Sequence, residues 1–340
     1  MGTISVGRDS KRQLLYKVAP RSVPFSIGIT PSDVCNFRCI YCNQSTVAGI
    51  KDARILSWED FLFTMNQIEE LIHFGGKPIK IIRLIGNGEP LLNKKLPDMV
   101  SYIRDRNISQ RIEVTTNGSL LTEDVSNRLI GAGLTRLLIS IQGTTKEKYK
   151  KICGYDIDYE RFVDQIRYFY QNRNKCKLFI KTVDVAIDNE TERKDFFDVF
   201  SPICDEINIE KIIKACEDVS YEEFAPHDID ETTRYNAPLK RKVCCDTLFM
   251  YLNIHSNGDA DCCGCKYPPL YVGNIYKNRL REIWNGEIHR HIMKLHLLGK
   301  RWEIKECAEC HSIEHYNSFP EDSLDEHLDE VLARLNNNGV

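Results

Sequence analysis

Three cysteines fall within eight residues in Cys35-Asn-Phe-Arg-Cys39-Ile-Tyr-Cys42, directly after an apolar-alternating run from Phe25 to Thr30. A structural zinc site is closed by four ligands, and this loop offers three, with no His beside them. Thiolates also hold iron–sulfur clusters, normally one Cys per iron. A four-iron cube held by only three Cys keeps one iron open to something that is not protein. An open iron on a redox-active cube is a chemical site rather than a staple. The competing reading is a zinc site completed by a distant Cys.

Cys-x-x-x-Cys-x-x-Cys after a first strand, with Tyr41 just before the third Cys, resembles the signature of the radical S-adenosylmethionine (SAM) enzymes. The resemblance implies a 4Fe–4S cluster on Cys35, Cys39 and Cys42, with Tyr41 beside the cofactor. Its open iron would chelate the amino and carboxylate groups of SAM. An electron passed through the cube would cleave the sulfonium, and the resulting 5′-deoxyadenosyl radical would remove a hydrogen atom from substrate.

Further along, Gly86-Asn87-Gly88-Glu89-Pro90 follows a short Ile-rich run. Glycines admit close approach of backbone to a ligand, and a carboxylate can meet a cationic amine. Taken alone the stretch also reads as an ordinary strand-to-helix turn. In this position it is similar to the Gly-Gly-Glu-Pro motif of the superfamily, which contacts the methionine amino group, with Asn87 where Gly is usual. Ser140 and Gln142 share one parity on a strand whose other parity is Leu137, Ile139 and Ile141. The resemblance assigns Ser140 to the methionine carboxylate and sets Thr115 and Asn117 near the ribose. Lys150 or Lys151 could supply a cation to the carboxylate. Lys181, Asn208 and Glu210 are candidates for the substrate side. Each of these also reads, singly, as a structural or solvated residue.

The chain has 14 Cys, seven of them between Cys244 and Cys310. In a reducing compartment such thiols are metal ligands sooner than disulfides. Cys245 and Cys263 flank a hairpin signal, Leu248–Ile254 followed by Asn257-Gly258, and Cys307-x-x-Cys310 is a two-ligand knuckle. Four thiolates from two such pieces suit either zinc or a four-iron cluster. The segment resembles the SPASM extension of radical SAM enzymes in a short form, which implies one auxiliary 4Fe–4S cluster on Cys245, Cys263, Cys307 and Cys310. Cys244, Cys262 and Cys265 lie close enough to compete as ligands.

These residues need a frame. Ser57 opens a helix that Gly75-Gly76 ends, and a strand over 78–85 follows. A helix over 96–106 leads to the strand 111–116, and Thr122 caps a helix ending near Gly131. The strand 136–141 precedes a capping box at Thr144-Thr-Lys-Glu147 and a long helix, 159–172. A strand over 177–186, a helix over 192–200 and a strand over 206–213 complete six βα units. An open doubly wound sheet and a partial barrel both satisfy that pattern. The resemblance selects an α/β fold: a partial (β/α)6 TIM-like barrel followed by a small Cys-rich domain. Either way, every motif falls at the C-terminal ends of strands, where ligands sit. The expected division is an N-terminal extension over 1–23, the barrel over 24–220, a connector over 221–243, the auxiliary cluster domain over 244–315 and a terminal helix over 316–340. A capping box at Ser323-Leu-Asp-Glu326 would start that last helix.

Lys and Arg number 46 against 49 Asp and Glu, a formal charge of −3, which calls for neither nucleic acid nor an anionic membrane. No apolar run reaches membrane-span length and no signal peptide is evident, so the expected location is cytoplasmic. The expected activity is oxidation or epimerisation of a small polar substrate, such as a sugar or aminocyclitol. Flavodoxin or ferredoxin would be the reductant. For epimerisation a free thiol must return a hydrogen atom, and Cys216 and Cys265 are the best placed. Two other readings stand beside this one. A peptide-modifying enzyme is disfavoured because about 24 residues before the first strand are too few for a leader-binding module. A non-catalytic iron–sulfur electron carrier is disfavoured by the apparent seat for SAM.

Overall fold

The computed structural model describes residues 1–6, 12–46, 53–229, 231–264, 267–316 and 319–337. Its strands are β1 (Thr3–Ile4), β2 (Ser26–Ile29), β3 (Ile79–Leu84), β4 (Ser109–Thr116), β5 (Arg136–Ile141), β6 (Lys177–Val183), β7 (Glu206–Glu210), β8 (Tyr251–Ile254), β9 (Asp259–Asp261) and β10 (Tyr271–Asn274). They form one sheet in the order β1-β7-β6-β5-β4-β3-β2-β8-β9-β10. From β2 to β7 each strand pairs parallel with the next in sequence.

Helices fill the crossovers: α1 (Trp58–Gly75), α2 (Leu96–Asp105), α3 (Glu123–Gly131), then α4 (Lys146–Cys153) with α5 (Tyr159–Asn172), and α6 (Glu190–Phe200). Because the strand order never reverses, right-handed crossovers put every helix on the same face. A doubly wound sheet, which needs a reversal, is thereby excluded. The helix-covered face is apolar: Ile27, Ile82, Leu84, Val114, Leu137, Ile139, Leu178, Ile180 and Ile207 are fully buried. The other parity lines a lumen with polar side chains, including Arg83, Glu113, Ser140, Lys181 and Glu210.

Caps explain the helix ends. The Ser57 hydroxyl accepts from the amide of Asp60, and Gly76 closes α1 at φ 59°, a left-handed value that suits glycine. Thr122 caps α3 by accepting from the amide of Val125. Three local readings are corrected. The cap of α4 is Thr145, which accepts from the amide of Lys148, so the box expected at Thr144 lies one residue early. The strand expected over 177–186 stops at Val183, where a 3-10 turn, Asp184–Ala186, begins. The last helix starts at Leu328 rather than behind Ser323, and it buries Val331 and Leu335.

The ends of the chain enter the sheet. β1, within the expected N-terminal extension, pairs parallel with β7 at one edge. At the other edge β8 pairs parallel with β2, so Gly28 faces Asn253, and β8 to β10 continue as an antiparallel meander. The turn between β8 and β9 holds Gly258 at φ 82°, as the Asn257-Gly258 hairpin signal requires. Two more helices follow: α7 (Leu280–Asn285) packs on β10 and α1, and α8 (Glu287–Leu297) packs on α7 and on the last helix.

Candidate active site and auxiliary cluster domain

The cysteine loop leaves the end of β2 and docks on the C-terminus of α4. The amide of Arg38 donates to the Cys153 carbonyl at 2.8 Å, and that of Ile40 to the Ile152 carbonyl at 2.9 Å. Cys35, Cys39 and Cys42 are partly buried; Cys35 and Cys42 lie close enough to Cys39 to raise its pKa, and Cys35 raises that of Cys42. Burial pushes the Cys35 thiol up and Cys42 up to about 12. Cys39 is raised first by a hydrogen bond with Cys153, a fourth thiol that nothing in the spacing announced. Among the described residues no three His, Cys, Asp or Glu side chains converge as a site for a single metal ion. The donor set itself, three thiols on one loop with no His, suits an iron–sulfur cluster with one iron left to a ligand.

The Gly-rich turn is packed against this loop. A Cβ on Gly88 would stand 2.4 Å from the carbonyl oxygens of Ser32 and Val34, so no larger residue fits. Asn87, where the resemblance expects Gly, has no positive φ; its carbonyl accepts from Gln44 Nε2 at 3.0 Å, and Gln44 also donates to the Asp33 carbonyl at 2.8 Å. Glu89, 2% exposed, turns inward. It accepts from the Leu91 amide at 2.9 Å, Thr116 Oγ1 at 2.5 Å and the Asn117 amide at 2.7 Å. Burial raises its pKa, against those three donors.

Asn117 then reaches the cysteine loop, donating to Asn36 Oδ1 at 2.9 Å, while Asn36 donates to Ser119 Oγ at 2.8 Å. The Tyr41 hydroxyl donates to Gln142 Oε1, and Gln142 Nε2 reaches the Ser140 carbonyl at 3.2 Å. Thr115 and Ser140 face the lumen from neighbouring strands, Thr115 pairing with Leu138. The structure therefore brings Tyr41, Gly86, Asn87, Gly88, Glu89, Thr115, Asn117, Ser140 and Gln142 around one end of the barrel. Lys150 does not join them. It is exposed on α4, and the buried lysine there is Lys148, which pairs with Asp188 at 2.6 Å. Lys151 is solvent-facing as well.

The lumen face carries two ion networks, one around Glu113 toward the start of β5 and one around Glu210 level with Ser140. Glu113 sits among Arg111 at 2.8 Å, Arg83 at 3.3 Å and Arg136 at 3.8 Å. Glu210 meets Lys181 at 2.8 Å and Arg234 Nε at 2.9 Å. Burial works against the Glu210 charge, but Arg234 and Lys181 outweigh it and hold the carboxyl at about 2. A cavity of about 180 Å³ opens beside Arg83 and Arg111, walled by Ser26, Lys80, Tyr251 and Tyr316.

Cys216 lies beside the cysteine loop, with its amide donating to the Tyr221 hydroxyl at 3.1 Å and its thiol within electrostatic reach of Cys42. Cys265 lies outside the described residues.

In the C-terminal part, Cys245, Cys263, Cys307 and Cys310 line one cavity, together with Cys262; Cys244 does not. Cys263 Sγ accepts from the Leu270 amide at 3.0 Å. Burial raises Cys245 to about 11 and lifts Cys262 and Cys263 as well. His296, also on the wall, has its pKa pulled down to about 4 by burial, with Arg301 adding to the effect. A polar chain that sequence reading missed links the two cysteine regions. Asp261 accepts from the Cys263 amide at 2.8 Å and faces His255 Nε2 at 2.7 Å, while Ser256 donates to Asp33, two residues before Cys35.

A singly wound partial barrel with three thiols at its strand ends, followed by a cysteine-lined domain on the same sheet, defines an iron–sulfur enzyme class. Residues 29–198, half of the chain, match the radical SAM superfamily, and residues 244–311 match an iron–sulfur cluster-binding domain termed SPASM. The chain belongs to the radical SAM superfamily. It is accordingly an enzyme that uses SAM and iron–sulfur clusters.

Among curated proteins, a probable GTP 3′,8-cyclase from Methanococcus maripaludis is 36% identical over 130 residues, 38% of this chain and 40% of that protein. One from Methanocaldococcus jannaschii is 33% identical over 142 residues, 42% and 44% respectively. The chain thus spans less than half the length of these relatives. Among solved structures, BtrN in complex with AdoMet and 2-DOIA matches with a TM-score of 0.55 at 17% identity, over 87% of this chain and 98% of that one. SuiB from Streptococcus suis bound to SAM gives 0.59 at 14% identity, over 88% and 74%. AdoMet-bound anSMEcpe gives 0.58 at 16% identity, over 92% and 98%. At these identities the likeness is one of fold. Among the described residues no helix is long and apolar enough to cross a membrane.

Proposed function

We propose that Cys35, Cys39 and Cys42 hold the catalytic cluster, and that the chain oxidises or epimerises a small polar substrate bound in the barrel lumen. When bound, the cluster and SAM supply a 5′-deoxyadenosyl radical that takes a hydrogen atom. The protein's part is to seat and orient. The Gly86–Glu89 turn offers close backbone, and Ser140, Thr115 and Asn117 offer polar groups to the cofactor. The observation that carries the substrate reading is the charged lumen face that also carries Ser140. Arg83, Arg111, Glu113 and Arg136 on one side, with Lys181, Glu210 and Arg234 on the other, suit a ligand rich in hydroxyl, amino or anionic groups.

The match runs through 98% of BtrN, solved with 2-DOIA, and through 99% of anSMEcpe, solved with a Cp18Cys peptide, so the preference for a small substrate rests on the lumen and not on these likenesses. A low-potential protein such as flavodoxin or ferredoxin would deliver the electron. Anaerobically reconstituted protein, reduced and given SAM, should release 5′-deoxyadenosine. Release should rise in the presence of one member of a panel of aminocyclitols, sugars, nucleotides and peptides. No cleavage of SAM with iron fully loaded would reject the enzyme's proposed chemistry. Stimulation by peptides alone would reject the small-substrate reading.

A further inference from the structure

α8 carries two buried histidines seven residues apart, and they are treated differently. His289 has a carbonyl facing each ring nitrogen, Trp284 at 2.8 Å and Leu248 at 3.0 Å. His296, 1% exposed, has a partner on one side only. Its Nδ1 faces the backbone amide of Cys245 at 3.2 Å. A backbone amide can only donate, so Nδ1 must present its lone pair and the ring proton must sit on Nε2. That Nε2 is buried and, among the described residues, has no hydrogen-bond partner. Leaving a buried donor unmatched is costly, so the fold is expected to supply an acceptor.

The ring lies on the wall of the cavity shared by Cys245, Cys263, Cys307 and Cys310. Arg301, another donor on that wall, is turned to the Cys307 carbonyl at 2.5 Å. Thr247, Glu306 and Ser312 also line the cavity, but none of them bonds Nε2; the acceptors that a cluster would bring to this cavity are sulfurs, its sulfides and its ligating thiolates. We propose that His296 donates its Nε2–H to a sulfur of the auxiliary iron–sulfur cluster and thereby raises that cluster's reduction potential. The inference rests on reading the four Cys as cluster ligands. A hydrogen bond to sulfur withdraws charge from the cluster, which stabilises the more negative, reduced form. His296 is not itself a ligand, because its Nε2 holds a proton where a metal would need the lone pair. It is a positioning and tuning residue for whatever electron the auxiliary cluster accepts or donates.

The test uses a Cys35→Ala, Cys39→Ala, Cys42→Ala background, so that only the auxiliary cluster is seen. In that background His296→Phe should keep its iron and shift the midpoint potential in a redox titration to a more negative value. His296→Gln, which retains an N–H, should stay near the parent. An unchanged potential in His296→Phe at full iron content would overturn the proposal. Loss of iron in both variants would also overturn it, by giving His296 a ligand's role. A second measurement needs no stable Phe variant. Pulsed EPR of the reduced cluster in 15N-histidine-labelled protein should show a weak nitrogen coupling. A strong coupling of ligand type, or none, rejects the hydrogen bond. Absence of any iron–sulfur signal in the background protein would reject the cluster assignment itself, a failure read separately from iron content.

Discussion

The carboxylate of Glu89, at the end of β3, accepts the backbone amide of Asn117, at the end of β4, at 2.7 Å. Through that bond the Gly-rich turn fixes a residue whose side chain reaches Asn36 inside the cysteine loop. Glu89 is thus a positioning group for two loops as well as a candidate contact for the cofactor. Three donors on its two oxygens leave little room for replacement. In Glu89→Gln an amide NH2 must face one of those N–H or O–H groups. We expect a loss of about 1–3 kcal/mol in unfolding free energy and a raised KM for SAM. Thermal unfolding of loaded protein and 5′-deoxyadenosine kinetics check both. A variant with parent stability would contradict the network.

Local signals carried the frame well where they were strong. β5 and α5 occupy the residues expected from periodicity, because each packs an uninterrupted apolar face. Caps failed where two hydroxyls stood side by side: Thr144 and Thr145 are equivalent in sequence, and only the backbone at Thr145 chooses between them. Helix phase decided between lysines, burying Lys148 and exposing Lys150. Contacts between distant segments left no local trace. Nothing near Cys39 points to Cys153, nothing near β2 points to β8, and Asn36 is simply a residue between ligands. The polarity of the lumen was legible as strand parity. The pairing of Glu210 with Arg234 was not, because Arg234 lies in an irregular stretch with no period to read.

Iron content tests the two-centre reading. Reconstituted protein should hold about eight irons, four per cluster, and the Cys35/Cys39/Cys42 triple alanine variant about four. That variant should also lose reductive cleavage of SAM. Tightly bound zinc with only one cluster in the intact protein would contradict the auxiliary assignment.

Among the described residues five thiols line the auxiliary cavity, one more than a four-iron cluster needs. Cys263 already accepts an amide, as a cluster thiolate commonly does, whereas Cys262 extends the buried parity of Ala260. Cys263→Ala should therefore lose the auxiliary-cluster absorbance and Cys262→Ala should largely keep it. The opposite pattern would mean the hairpin is gripped one residue earlier.

Glu210 offers a test with a definite sign. Its carboxyl is held at about 2, against an ordinary value of 4.5, by Arg234 and Lys181 working against burial. A depressed carboxylate contributes stability that is fully present above the unfolded value and is lost as pH falls through the folded one. By linkage the contribution is on the order of 3 kcal/mol. Replacing Glu210 with Gln also strands two buried cations, so the total loss near neutral pH should be about 3–5 kcal/mol. Because the titration window lies below 4.5, the difference between parent and Glu210→Gln should be flat from about pH 8 to about pH 6. Urea unfolding across that range measures it. A difference that shrinks steeply there would show that Glu210 is not held ionised.

Whether the reaction is a net oxidation or an epimerisation turns on what quenches the substrate radical. Oxidation needs an electron acceptor, for which the auxiliary cluster is the candidate. Epimerisation needs a thiol that returns hydrogen from the opposite face. Cys216 is the described candidate, but it sits beside Asn43 and Cys42 at the rim, and a free Cys is often only a small buried hydrophobe. Ser256 bonds Asp33, and the adjacent His255 pairs with Asp261 between the two cysteine regions, so groups able to take up a proton released by oxidation stand there. We therefore expect oxidation. Turnover in deuterated water with the true substrate should give a product two hydrogens lighter, and Cys216→Ser should still form it. Solvent deuterium at the attacked carbon of an otherwise mass-unchanged product, lost in Cys216→Ser, would establish epimerisation instead.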